Sequence, residues 1–323
     1  MRSHRWLGGL LAGLTALASA TTIGACGGGD GGGAKTSGSR AAIVSNPANR
    51  KTAIVVGSKN FTEQKVLGEI FAQGLAAAGY RVRKQLDLGD ENVALKALRA
   101  GRIDAYPEYT GTALTSFFGV RSSDIPKDPR RAFQEARAGF ARMGLTAYPP
   151  TPFTSSNEVA VTQRTAKKYN LTSISELSRV AGRLTLYGPP ECRRRLDCLL
   201  GLEQVYGLRF EKFVPVAIDL RHEVLNTGRA DVSIVFTTDP ENKRDNIVLL
   251  RDDRRMFPPY NSTLVVRDRT AKRAGADLPR TLAKVERRLN APEMQELNAR
   301  VDLDQKAPAE VASEYLREEA LVK

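Results

Sequence analysis

Hydrophobic and polar positions along the chain follow an alternation of strands and helices. The continuous apolar run Ala53–Gly57 predicts a buried parallel strand. Apolar residues at helical spacing over 67–78 predict a helix directly after it. Strand and helix patterns continue to alternate through 183–238, and the tail from Ala276 is mainly helical. This order of elements favours an α/β fold.

The ends of the first helix carry their own signals. Asn60 stands three residues before Glu63, which is the spacing of a capping box. Gly79 follows the last apolar position, where glycine commonly ends a helix. We therefore expect the helix to begin after an Asn60 cap and to end at Gly79.

A near-repeat relates two distant parts of the chain. Leu98–Asp104 matches Leu225–Asp231, and in each copy an aromatic residue followed by Thr lies eight positions beyond the Gly, at Tyr109 and Phe236. Both copies predict a helix, a Gly cap, a short strand and an aromatic at the carboxyl end of that strand. Ligands of open α/β sheets bind at the carboxyl ends of strands, so two similar lobes sharing a cleft are expected. Chance similarity of a common helix–turn–strand unit is the alternative.

The N-terminus has the pattern of a bacterial export signal. A basic start is followed by an apolar stretch over 6–20, which is shorter than the about 20 residues needed to span a bilayer. Ile23-Gly24-Ala25-Cys26 resembles a lipobox, which predicts a lipoprotein signal peptide at 1–25 and lipidation of Cys26. Residues 26–51 begin with a Gly-rich run and are predicted to be a flexible tether. An ordinary secretory signal with an incidental cysteine is the alternative.

The composition and charge of the chain limit the classes of function that are possible. The chain has 323 residues, of which 41% are hydrophobic and 26% charged, enough for two globular lobes. The net charge is +13, but the basic residues are dispersed and Arg193–Arg195 has no interleaved aromatics, so we expect a solvated basic surface and no nucleic-acid binding. No catalytic or phosphate-cradling motif is found in the body, which argues against an enzyme and against a cofactor.

The cysteines beyond the signal form one close pair. Cys192 and Cys198 are six positions apart, and in an oxidising compartment such a pair predicts a local disulfide, with two free thiols as the alternative. A metal site is not expected, because the chain has only His4 and His222 and no second cysteine pair.

Two long motifs carry a family resemblance. The chain is similar to the substrate-binding proteins of osmoprotectant ABC transporters, which bind glycine betaine, choline, carnitine and proline betaine. The similarity is strongest in the first two of the following segments and continues through the others: Gly57–Gln64, Tyr106–Thr112, Tyr187–Glu191, Phe236–Asp239, Phe257–Asn261 and Leu297–Asp302. It implies a two-lobed clamp of the type II periplasmic-binding-protein kind with two hinge crossings. Lobe 1 would be 52–153 plus 239–323, and lobe 2 would be 154–238.

The resemblance also implies a binding site. A quaternary ammonium has no N–H to donate, so aromatic faces must hold it, while the carboxylate of a betaine asks for basic or hydroxyl donors. The positions that match the family's cage are Tyr109, Asn157, Phe236 and Tyr260, and those that match its anion site are Lys59, Thr112 and Arg195. The aromatics could instead be core residues, Lys59 could be a surface residue, and Arg193 or Arg194 could take the place of Arg195.

Two departures from the family pattern affect the expected ligand. Asn157 stands where the family commonly has Tyr, which leaves three aromatics in the cage, and Glu158 beside it is also unusual. Cys192 and Cys198 flank Arg195 where Phe and Gly are more usual. Either change could shift the ligand from glycine betaine towards choline or a bulkier betaine.

We therefore expect a monomeric, lipid-anchored binding protein on the extracytoplasmic face of a bacterial membrane. It would capture a quaternary-ammonium osmolyte such as glycine betaine or choline and deliver it to an ABC permease in the membrane. Carnitine or ergothioneine is the alternative solute, and an effector-sensing regulatory domain is the least favoured alternative function.

Overall fold

The computed structural model describes residues 42–121 and 124–323. The predicted signal peptide at 1–25, Cys26 and the first part of the tether, up to residue 41, lie outside the described residues. Within the described part, the strands form two sheets of five strands each. The α/β class expected from the sequence is confirmed.

The strands are numbered in chain order. They are β1 (Ala53–Gly57), β2 (Arg81–Gln85), β3 (Ala105–Tyr109), β4 (Leu145–Ala147), β5 (Asn157–Thr162), β6 (Thr185–Gly188), β7 (Lys212–Pro215), β8 (Val232–Phe236), β9 (Ile247–Leu250) and β10 (Ser262–Arg267). The first sheet has the order β2-β1-β3-β10-β4, and the second has the order β7-β6-β8-β5-β9. In each sheet four strands run in the same direction, and the strand in the fourth position runs antiparallel to both of its neighbours. The two sheets therefore repeat one topology.

Most helices are short and connect successive strands. They are α1 (Thr62–Ala77), α2 (Glu91–Ala100), α3 (Thr110–Thr112, continued by a π-helical turn over Ala113–Phe117), α4 (Pro129–Ala141), α5 (Gln163–Tyr169), α6 (Leu199–Tyr206), α7 (Arg221–Asn226), α8 (Glu241–Arg244), α9 (Asp268–Ala274), α10 (Asp277–Glu286), α11 (Ala291–Asp302) and α12 (Pro308–Glu318). Short 3₁₀ segments lie at Pro47–Lys51, Ile174–Arg179, Ala181–Arg183, Pro190–Arg194 and Ile218–Leu220.

Each sheet has its own hydrophobic core. On one face of the first sheet α1 packs against α10, α11 and α12, with Phe71 and Tyr315 fully buried between them. The other face is covered by α2 and α4, which bury Leu98 and Phe140. The second sheet packs its apolar residues into two further clusters. Separate clusters on the two sheets are consistent with the expected pair of lobes.

The chain passes between the two sheets twice. The first passage is the segment 148–156, between β4 and β5, and the second is 251–261, between β9 and β10. The second sheet thus extends beyond the predicted end of lobe 2 at residue 238, because β9 pairs with β5. The apolar run over 247–250 is a strand that the predicted boundary assigned to lobe 1.

Two local expectations also differ from the structure. The N-cap of α1 is Phe61 and makes no side-chain capping bond, so the predicted Asn60 cap is wrong. Glu63 does not cap the helix because its side chain is buried and accepts hydrogen bonds from Tyr109 and Asn298. The predicted tether ends earlier than residue 51, since Asn49 is buried and its amide donates to the carbonyl of Ala78 at 2.8 Å.

The near-repeat corresponds to equivalent positions in the two sheets. Gly101 and Gly228 both have the left-handed backbone conformation, with φ of 75° and 70°. This conformation favours glycine and lets each chain turn sharply from helix to strand. The strands that follow, β3 and β8, end at Tyr109 and Phe236. The two aromatics therefore stand at the carboxyl ends of corresponding strands.

Candidate functional site

The site forms where one edge of each sheet meets the other. In the first sheet β3 ends at Tyr109, directly opposite Ser262 at the start of the antiparallel β10. In the second sheet β8 ends at Phe236, directly opposite Asn157 at the start of β5. Because an antiparallel strand begins at the edge where its parallel neighbours end, residues distant in sequence gather at the same edge.

A pocket lies between these two edges. It encloses about 600 Å³ of space, its open mouth included. All seven residues that the sequence singled out for ligand binding line it, namely Lys59, Tyr109, Thr112, Asn157, Arg195, Phe236 and Tyr260. The structure thus brings together side chains from both sheets and from the second passage between them.

Four aromatic rings contribute to the lining. Tyr109, Phe236 and Tyr260 are joined by Phe61, which the sequence reasoning did not assign to the site. The centroid of the Phe61 ring lies 6.3 Å from that of Tyr109 and 5.5 Å from that of Phe236, so it links the rings of the two sheets. Phe61, at the start of α1, thus brings the number of rings to four, although Asn157 replaces the Tyr that is common in the family.

The hydroxyl groups of the two tyrosines are held by buried carboxylates. Tyr109 donates to Glu63 Oε1 at 2.5 Å, and Asn298 donates to the other oxygen of Glu63 at 3.2 Å. Burial raises the pKa of the Glu63 carboxyl. Tyr260 donates to the carboxylate of Asp197. Each ring is therefore fixed from its far end, which leaves its face oriented before a ligand arrives.

The Lys59 ammonium is paired inside the protein. It is only 4% exposed and forms an ion pair with Glu108, which is fully buried. Tyr106 donates to the second oxygen of Glu108 at 2.9 Å. The ammonium also lies 4.6 Å from the centroid of the Tyr109 ring. The positive charge at the predicted anion position is thus largely compensated by a carboxylate.

Arg195 is compensated in the same way. Its Nε and Nη2 atoms donate to the two oxygens of Asp197 at 2.8 and 2.6 Å, which is a bidentate pair. Its Nη1 atom lies 3.3 Å from Glu91, and Nη2 lies 3.5 Å from the hydroxyl of Thr112, both in the part of the chain that forms the first sheet. Burial alone would raise the pKa of the Asp197 carboxyl, but the guanidinium holds it below its usual range.

Asp197 also fixes Asn157. The Asn157 amide donates to the backbone carbonyl of Asp197 at 2.8 Å. The amide therefore supports the segment that carries Arg195 and Asp197. Asn157, at the position where the family commonly has Tyr, therefore has a structural role in the site.

The Phe236 ring contacts a cation of the protein. The guanidinium carbon of Arg221 lies 3.8 Å from the ring centroid, within the range of a cation–π interaction. Arg221 is held by Asp239 at 3.1 Å, and the Asp239 carboxylate also accepts from the backbone N–H of Phe236 at 2.8 Å. The ring is therefore fixed at the end of β8 by both its side chain and its backbone.

The cysteines stand beside the pocket. A disulfide joins Cys192 and Cys198, with their Cα atoms 5.1 Å apart, and Cys198 lines the pocket. Of the three consecutive arginines, Arg195 faces the site, whereas Arg193 is exposed and lies over the ring of Phe213.

Sequence reasoning missed several polar residues of the site. Glu91 and Asp197 complete the ion pairs of Arg195, and Glu108 pairs with Lys59. For Glu108 a signal existed, since it lies within the motif Tyr106–Thr112 in the middle of an apolar strand. Asp197 lies only two residues after Arg195, so it could have been considered as its partner, whereas Glu91 is brought to Arg195 only by the approach of the two sheets.

The fold and the pocket define a class: a two-lobed solute-binding protein of an ABC importer. A solved structure described as a glycine betaine/carnitine/choline ABC transporter superposes with a TM-score of 0.65 at 26% identity, over 83% of this chain and 99% of the other. The family model described as the substrate-binding domain of ABC-type glycine betaine transport systems matches residues 52–318, and the chain belongs to this family. It is a solute-binding component and not an enzyme.

Characterised relatives cover most of the chain. The carnitine transport binding protein OpuCC of Listeria monocytogenes is 30% identical over 271 residues, which is 83% of this chain and 87% of the relative. A glycine-betaine-binding protein of Pseudomonas aeruginosa is 31% identical over 278 residues, 83% of this chain and 88% of the relative. The resemblance seen in the sequence motifs is thereby confirmed.

Proposed function

We propose that this protein captures a quaternary-ammonium osmolyte in the pocket between its two sheets and delivers it to a membrane permease. The observation that carries the proposal is the set of four rings, from Phe61, Tyr109, Phe236 and Tyr260, in the lining of one pocket. Aromatic faces attract a cation that cannot donate hydrogen bonds, and each such contact contributes about 0.5–2 kcal/mol when water is excluded.

The charges around the pocket support a cationic ligand. Among the described residues that line it, the cations are Lys59 and Arg195, and the carboxylates are Asp90, Glu91 and Glu191. Both cations also have a carboxylate partner, Glu108 or Asp197. Carboxylates therefore outnumber cations, which favours a ligand with a net positive charge over one with a net negative charge.

The preferred solute is choline or a related ion with no acidic group. A betaine carboxylate needs donors, and the donors of Arg195 are already shared between Asp197 and Glu91. Glycine betaine, and the carnitine that the Listeria relative is named for, are the alternatives. Ergothioneine is a further alternative, since it also carries a quaternary nitrogen.

Closure of the two lobes would complete the cage. Phe61 belongs to the part of the chain around the first sheet and Phe236 to the second sheet, so a solute that contacts both rings would favour the closed form. The closed form would then dock on the permease, whose ATPase subunits are other chains.

We place the protein at the extracytoplasmic face of the membrane, as a monomer anchored through a lipidated Cys26. Solute-binding proteins of ABC importers act outside the cytoplasm. None of the helices in residues 42–121 and 124–323 combines the length and the hydropathy that a membrane span requires. Metabolic labelling with a fatty acid would test the anchor, with Cys26→Ala as the unlabelled control.

Calorimetric titration with choline, glycine betaine, carnitine and ergothioneine tests the proposal. The matched control is 3,3-dimethylbutan-1-ol, which has the shape of choline with carbon in place of the charged nitrogen. We expect at least one quaternary amine to bind and the neutral alcohol to bind much more weakly. Equal binding of choline and its neutral analogue would refute a cation–π contribution to affinity. No binding of any quaternary amine would refute the proposed ligand class.

A further inference from the structure

The bridge between Cys192 and Cys198 closes a short loop that reaches into the site. The two cysteines are six positions apart, and both are buried, with exposures of 0% and 2%. Inside the loop the backbone makes two hydrogen bonds, from Arg195 to the Cys192 carbonyl at 3.3 Å and from Cys198 to the Arg195 carbonyl at 3.2 Å. Residues 192–194 end a 3₁₀ turn, whereas Arg195–Asp197 lie in neither a helix nor a strand, so the bridge is a covalent constraint on the position of these residues.

This loop supplies much of the polar wall of the pocket. Its Arg195 contacts Glu91 and Thr112, and its Asp197 accepts from Tyr260 and, through the backbone carbonyl, from Asn157. Three other predicted ligand-binding residues therefore contact Arg195 or Asp197 of this seven-residue loop. They are Thr112, Asn157 and Tyr260.

The loop also joins the two halves of the molecule. It lies in the part of the chain that forms the second sheet, whereas Glu91 and Thr112 follow strands of the first sheet, and Tyr260 lies in the passage between the sheets. A small displacement of the loop would break these contacts together. Buried ion pairs tolerate little displacement, because a charge without its partner is costly in a region that excludes water.

We propose that Cys192 and Cys198 are positioning residues of the solute site, and that the disulfide increases solute affinity by holding Arg195 and Asp197 in register with the other lobe. The inference rests on the proposed function and goes beyond it, because it makes affinity dependent on the redox state of one bond. A dithiol reductant converts the bridge to two thiols and itself becomes a cyclic disulfide, so two electrons pass to the protein and no other reactant is needed.

Reciprocity follows from this coupling. If the bridged form binds the solute more tightly, then the solute stabilises the bridge against reduction by the same factor. A tenfold difference in affinity corresponds to a shift of about 30 mV in the reduction potential of this two-electron couple.

The test is a double-mutant cycle measured by calorimetry with choline. Cys192→Ser/Cys198→Ser is compared with the bridged protein, once in the wild-type background and once with Asp197→Asn. We expect removal of the bridge to weaken binding about tenfold in the wild type and less than about twofold in the Asp197→Asn background. Equal losses in both backgrounds would indicate a merely structural bridge and overturn the positioning role.

A second measurement avoids loss of folding in the serine variants. The wild-type full chain is equilibrated with a series of dithiothreitol redox buffers, with and without saturating choline, and the thiols are counted by alkylation. We expect choline to make the reduction potential more negative by the amount that the affinity ratio fixes, and no shift would overturn the coupling. If the bridged wild type binds no quaternary amine at all, the proposed function fails first and this inference falls with it.

Discussion

The hydroxyl of Tyr260 donates to the carboxylate of Asp197, and this contact links the aromatic wall of the pocket to its charged wall. Tyr260 lies in the second passage between the sheets, and Asp197 lies in the loop bounded by the disulfide. Burial and the nearby carboxylate raise the pKa of the Tyr260 hydroxyl well above its usual value, so it remains a donor throughout the physiological range. One hydrogen bond thus couples a ring that would face the solute to the ion pair beside it.

Replacing Tyr260 separates the two contributions. Tyr260→Ala removes the ring and should weaken solute binding by about 1–3 kcal/mol. Tyr260→Phe keeps the ring and removes only the donor to Asp197, so a smaller loss is expected. Calorimetry with choline measures both, and an affinity for Tyr260→Ala equal to that of the wild type would exclude this ring from the site.

Phe61→Leu tests the aromatic that the sequence did not assign. Leucine retains apolar bulk but has no π-face, so the affinity for choline should fall by about 0.5–2 kcal/mol. Phe133→Leu on α4, away from the pocket, is the matched control and should leave the affinity unchanged. If both variants bind equally well, Phe61 is a packing residue only.

Arg195→Gln distinguishes a zwitterionic solute from a cationic one. A betaine carboxylate would lose a donor, whereas choline would gain from the uncompensated carboxylates of Asp197 and Glu91. We therefore expect glycine betaine to lose affinity and choline to keep or gain it. The control is Arg193→Gln, an exposed neighbour that lies over Phe213. Equal losses for the two solutes would show that Arg195 does not discriminate between them.

Gly111→Ala tests the close approach behind Tyr260. A Cβ atom at Gly111 would lie 2.8 Å from the Cδ1 and Cε1 atoms of the Tyr260 ring, too close for ordinary contact. The ring would have to shift, and both stability and solute affinity should fall, with a stability loss of about 1–3 kcal/mol. Gly182→Ala is the control, since its nearest neighbour would be 3.8 Å away. Thermal unfolding and calorimetry on both variants measure the difference.

Glu158 gives the stability of the protein a pH dependence. Burial, together with nearby Asp252, raises the pKa of Glu158 from 4.5 to about 7. The folded state therefore holds a proton that the unfolded state releases, so this group's contribution is fully present below about pH 4.5 and is lost as the pH rises through 7.

Glu158→Gln should abolish that loss. Relative to the wild type, the variant should gain about 1–3 kcal/mol of unfolding free energy between pH 4.5 and pH 8, a range reduced for the partial exposure of the side chain. Urea unfolding at several pH values measures it, with the exposed Glu203→Gln on α6 as the control. A constant difference between Glu158→Gln and wild type across this range would contradict the raised pKa.

Much of the fold could be predicted because local patterns and tertiary structure agree. The apolar run Ala53–Gly57 is β1 without a change of boundary, and the repeated units around Gly101 and Gly228 lead to aromatics at equivalent strand ends. The predicted Asn60 cap is wrong because a capping box is a purely local signal. In the folded chain Glu63 is buried and accepts a hydrogen bond from Tyr109, so it does not take part in a cap.

The site was predicted unevenly for a physical reason. Tyr109 and Phe236 end strands and Lys59 follows one by two residues, and sequence patterns indicate such positions. The pairing of Lys59 with Glu108, and of Arg195 with Glu91, depends on which carboxylates the folded chain brings within a few ångströms. Spacing along the chain does not encode that proximity, so the charge balance of the pocket could be obtained only from the structure.

The first and last described segments of the chain are joined by a hydrogen bond from the backbone N–H of Ile43 to the carbonyl of Leu321 at 2.9 Å. Fluorophores attached near these two positions would therefore move together, and the distance between them would not change when the hinge bends. A probe at the C-terminal Lys323 has to be paired with one on the second sheet, for example at the exposed Lys212 on β7, to give an energy-transfer signal of solute capture.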